Sequence, residues 1–71
     1  MKFGDVVGMD YEPEMRLMVL RLVRRESGRE TWSALVLQDN EAGWFVGTVV
    51  TVGAHVAGLT IIEEAHERSG R

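Results

Sequence analysis

Apolar residues gather into runs parted by glycine and charge: "KFGDVVGM", "MRLMVLRLV", "TWSALVL", "WFVGTVVTV" and "GLTII". The last two share an uncharged tract, residues 42 to 62, bounded by Glu41 and Glu63. That length suits a membrane-spanning helix, but the residue types oppose one. The tract has one Leu, four Gly, three Thr and His55. Each Gly weakens a helix by about 1 kcal/mol relative to Ala, and an imidazole in hydrocarbon needs a partner. Ten of the 21 residues are Val, Ile or Thr, whose branched Cβ suits a pleated strand better than a helical turn. Gly43 and Gly47 spell GxxxG, a membrane dimer motif that is cheap in a Gly-rich chain. The tract predicts strands, with a membrane-anchored small protein as one alternative.

The other runs pair naturally. "KFGDVVGM" reads as a short strand with a bend at Gly4-Asp5. If Ser27-Gly28 is a hairpin tip, Glu26 falls opposite Arg29, Arg25 opposite Glu30, Val23 opposite Trp32 and Val19 opposite Val36. Opposite charges and apolar partners then meet across the ladder, at about 0.2–1 kcal/mol per pair. A second turn at "DNEAG" sets Gln38 opposite Trp44, Leu37 opposite Phe45 and Val36 opposite Val46. "GLTIIEE" supplies a last strand, and residues 63–71 read as a polar tail.

Residues 14–26 are ambiguous. Met15, Met18, Val19 and Leu22 recur at helical spacing, with Pro13 early and Gly28 placed like a C-cap. Leu17 and Leu20 lie off that face, and Arg21 interrupts its edge. Met18-Val19-Leu20 also breaks the strand alternation, which suits a strand covered on both sides or one carrying a bulge. The strand reading is preferred.

Five strands with Gly-rich turns make an all-β domain over residues 1–62, economically a small five-stranded antiparallel barrel built on a meander. Closure would bury the apolar face and remove sheet edges. The opening Gly4-Asp5-Val6-Val7 strand, a loop, a long strand with Met and Val, then a meander resemble small SH3-like barrel proteins of bacteria and phages, over residues 3–62. The resemblance implies a phage or mobile-element accessory protein. It does not extend to proline-rich ligands, because Tyr11 stands alone where signalling SH3 domains cluster aromatic residues.

Composition narrows the chemistry. Seventy-one residues form one domain near the lower size limit for a single core. The absence of cysteine excludes disulfides and thiolate zinc sites and fits a reducing cytoplasm. The N-terminus has no apolar run of secretory type, so a cytoplasmic location is expected. Net charge is −3, against a whole-surface nucleic-acid binder. The charge is uneven: residues 1–14 carry a net −3, and residues 15–30 a net +3 from five arginines against two glutamates.

Ser33 and Ser69 sit on no nucleophile elbow, so catalysis and cofactors are not expected. Glu63 and His66 have the i, i+3 spacing of a metal pair, with His55 as a third candidate; without a second motif no metal site is predicted. Arg21, Arg24, Arg25 and Arg29 cluster toward one hairpin tip with Trp32, a set able to contact phosphates and stack a base. Nucleic-acid binding is therefore the alternative function. Trp44 and Phe45 alternate, so one should face the core and the other outward. The leading expectation is a non-enzymatic protein-interaction module, self-associating as a homodimer or binding another protein. The middle strands are apolar on both sides, and Met18, Leu20, Leu35, Leu37, Phe45 and Trp44 form the expected partner surface.

Overall fold

The computed structural model describes residues 1–39 and 43–65. The elements run β1 (Val6–Met9), β2 (Glu12–Glu26), β3 (Arg29–Val36), β4 (Val49–Gly53), α1 (Ala54–Ala57) and β5 (Leu59–Glu63). The strands form one antiparallel sheet in the order β4-β3-β2-β1-β5. The domain is mainly β, as its branched residues dictate, and residues 14–26 are strand. The long uncharged tract contains two strands with a single helical turn between them. Among the described residues, no helix is long and apolar enough to cross a membrane.

The β2–β3 hairpin turns at Ser27-Gly28, with φ of 53° and 79°. Positive φ at both central residues matches the twist of the flanking strands. The first pairs, Glu26 with Arg29 and Arg25 with Glu30, are those the sequence predicts. Beyond them the register departs from expectation. Leu22, not Val23, faces Trp32, and Ala34, not Val36, faces Val19. Val23 and Leu20 are extra residues on β2, one at each register shift. The reason lies in the arginines. Strict alternation from buried Val19 would turn Arg21 inward, and strict alternation from Leu22 would turn Arg24 inward. Burying an unpaired guanidinium costs far more than a local ladder defect. Each bulge flips the following arginine outward.

The β3–β4 turn also differs. Leu35 pairs with Val49 and Ala34 with Val50, so Trp44, Phe45 and Val46 precede the strand and do not pair with Gln38, Leu37 and Val36. Asp39 accepts the Val46 N–H through Oδ1 at 2.7 Å, a local competitor for the ladder. Residues 40–42 of the expected "DNEAG" turn lie outside the described residues.

One sheet face carries the core: Val7, Met15, Leu17, Val19, Trp32, Ala34, Val36 and Val52. The sheet is strongly curled. Its two edge strands, β4 and β5, would lie about 19 Å apart in a flat sheet of five strands. They are joined only through residues 54–58, mostly a helical turn rising about 1.5 Å per residue. Asp10, in the β1–β2 turn, donates its N–H to the carbonyls of Ala57 (3.3 Å) and Gly58 (3.2 Å), tying the far end of this bridge to β1. The expected closure is not reached, since β4 and β5 remain the two edges of an open sheet.

Asp5 fastens the other end. Its side chain is buried, accepting the Ala65 N–H at 2.8 Å and the Lys2 N–H at 2.9 Å. The Lys2 ammonium lies 4.0 Å away. These donors, led by Ala65, hold its carboxyl below the ordinary value of 3.8. The tie reaches Ala65, within the stretch the sequence assigns to a tail; residues 66–71, with His66 and Ser69, lie outside the described residues.

Candidate interaction surface

Directly paired residues in an antiparallel ladder share a face. One outer row crosses four strands: Val49 on β4, Leu35 on β3, Met18 on β2 and Val6 on β1. Beyond Val6 the row ends at Glu63 on β5. Met18, Leu35 and Val6 are half-buried and Val49 is 58% exposed. None of the four belongs to the core cluster or packs against it. Leu20 bulges beside Met18, also half-buried. Leu37 follows Leu35 on the same side, is exposed, and donates its N–H to the Arg16 carbonyl at 2.8 Å. Sequence reading places Met18, Leu20, Leu35 and Leu37 together, and the register makes Met18 and Leu35 immediate neighbours. It misses Val6 and Val49, whose alternation with Val7 in the core and Val50 packed against it is the available signal.

The two aromatic candidates separate. Trp44 is half-buried and packs against the core, whereas Phe45 is 61% exposed in the loop before β4. One therefore faces inward and one outward, without the strand alternation invoked for them.

At the hairpin tip the arginines are unequal. Arg25 donates from Nη2 and Nε to Glu30 Oε2 at 2.8 and 3.0 Å. Trp32 donates its indole N–H to Glu30 Oε1 at 3.1 Å. The indole bond and Arg25 together hold the Glu30 carboxyl below its ordinary value of 4.5. Trp32 is buried in the core, which removes its ring face from any external base. Arg24 pairs with Glu26 at 3.0 Å, both side chains well exposed. Arg21 and Arg29 are exposed and have no carboxylate partner among the described residues. Arg24, Glu26, Arg29, Thr31 and His55 line an open notch of about 170 Å³.

Ser33 is buried on β3 between Arg21 and Thr51. His55 is exposed on α1 and Glu63 exposed on β5. Among the described residues no three His, Asp or Glu side chains converge on a common point. No family model matches this chain, and no curated protein or solved structure matches it significantly.

Proposed function

We propose that the protein is a non-enzymatic interaction module that docks a protein partner on the outer face of its sheet. The observation that carries this reading is the Val49–Leu35–Met18–Val6 row, an apolar band left outside the core. Contiguous apolar surface of this kind marks partner sites, whereas isolated exposed apolar residues do not. Large flexible Met and Leu side chains at its centre suit a packed, water-excluding contact. The strand order and the helical turn joining the two edge strands support an SH3-like, partly open barrel as scaffold.

Nucleic-acid binding at the arginine tip is less well supported. Its stacking residue, Trp32, is buried, and Arg24 and Arg25 are engaged by glutamates.

Photo-crosslinking in the native cell tests the reading. Benzoylphenylalanine replacing Leu35 should capture protein, and the same probe replacing Tyr11, 83% exposed in the β1–β2 turn, should not. Equal capture at the two positions, or none at Leu35, would remove the outer face as the partner site.

A further inference from the structure

We infer that the occupant of this face is a second copy of the chain, packed face to face with its β2 antiparallel to the first. The inference rests on the outer face being the partner surface, and it specifies partner and orientation.

The argument comes from the order of chemistry along one side of one strand. The outer side chains of β2 run Glu14, Arg16, Met18, then, across the Leu20 bulge, Arg21 and, across the Val23 bulge, Arg24. Glu14 is exposed at the acidic end, Arg21 and Arg24 are exposed at the basic end, and the apolar row crosses between them. Arg16 is drawn back, donating from Nη1 to the carbonyls of Pro13 and Met15, both at 2.8 Å. Along the ladder, at about 3.3 Å per residue, Glu14 stands about 13 Å to one side of Met18; on the other side the bulges set Arg21 opposite Ser33 and Arg24 opposite Thr31, about 7 Å and about 13 Å away.

This layout is complementary to itself in one orientation. A two-fold axis along the apolar row stacks row on row and reverses the strand direction. Arg24 of each copy then faces Glu14 of the other, on both sides of the contact, and Arg21 stands inboard of that pair, level with the drawn-back Arg16. An axis along β2 would instead stack Arg21 on Arg21 and Glu14 on Glu14, a like-charge juxtaposition that disfavours the parallel pair. Such isologous contacts are the commonest route to dimers. The curl of the sheet carries β5, and with it Glu63 at the end of the row, away from its counterpart, centring the contact on Met18 and Leu35.

Sedimentation velocity on the full chain, from micromolar to sub-millimolar, tests this. Wild type should show a reversible monomer–dimer equilibrium that weakens with added salt. Glu14→Arg and Arg24→Glu should each weaken association by about tenfold, and the two together should restore it to within about threefold of wild type. Unchanged circular dichroism confirms that each variant is folded; Glu14→Gln and Arg24→Gln replace any that is not. A wild-type dimer that ignores the single reversals, or a double reversal no tighter than the weaker single one, overturns the antiparallel orientation. A wild-type chain that stays monomeric overturns the second copy as occupant. In that event a Leu35 crosslink to a protein of different mass retains the outer face as a partner site, and no crosslink removes that reading as well.

Discussion

On β2, Met15, Leu17 and Val19 are sealed in the core, whereas Met18 and Leu20, of the same chemical kind, stand half-exposed on the other side. Residue type does not separate the two groups; the pleat does, because successive side chains leave opposite faces of a strand. The inner set meets β1, β3 and β4 residues folded over it by the sheet's curl. The outer set belongs neither to that core cluster nor to the residues packed against it. Apolar content on both sides of a central strand therefore divides into a part used for folding and a part left for a partner.

Removing side chains from either face should break this contrast if it is wrong. Leu17→Ala should cost about 2–5 kcal/mol of unfolding free energy in a denaturant titration, since a fully buried Leu leaves a cavity. Gly58→Ala should cost about 1–3 kcal/mol by the same measurement. Gly58 has φ +65°, and a Cβ there would press on the Asp10 carboxylate that sits against the bridge between the sheet edges. Met18→Ala should cost the dilute monomer no more than about 1 kcal/mol; a loss equal to that of Leu17→Ala would mean the two faces are not distinct. Ser27→Asn should stabilise the hairpin by about 0.5 kcal/mol, because Asn tolerates positive φ better.

Acid sharpens the same picture at the sheet's end. Asp5 has a lowered folded value, so its contribution is fully present above about 3.8 and is lost as pH falls through the folded value. Thermal melts of wild type should fall more steeply below that pH than those of Asp5→Asn. Parallel pH curves would show that the tie between Lys2, Asp5 and Ala65 contributes nothing.

Much of the sheet was legible because its causes are local. Ser27-Gly28 dictates a tight turn, and the charges of Arg25, Glu26, Arg29 and Glu30 fix the first two pairs. The broken alternation at Met18-Val19-Leu20 announced a bulge or double coverage. What it could not announce was how far the register would slide, which depends on keeping Arg21 and Arg24 out of the core once Val19 and Trp32 are committed to it. The start of β4 was misplaced because "WFVGTVVTV" is apolar throughout, and the strand begins only after Gly47. The helical turn at Ala54–Ala57 is too short to leave a periodic signature. The outer face was visible as an excess of apolar residues, but its row required the register.

The bridge of a single helical turn between the two outermost strands also orders events in time. The β2–β3 hairpin closes a two-residue loop and can form by itself, whereas β5 must find β1 from the far end of the chain. Amide hydrogens of β5 should therefore exchange soonest and those of β2 and β3 latest, making the seam between β1 and β5 the place where the molecule begins to come apart.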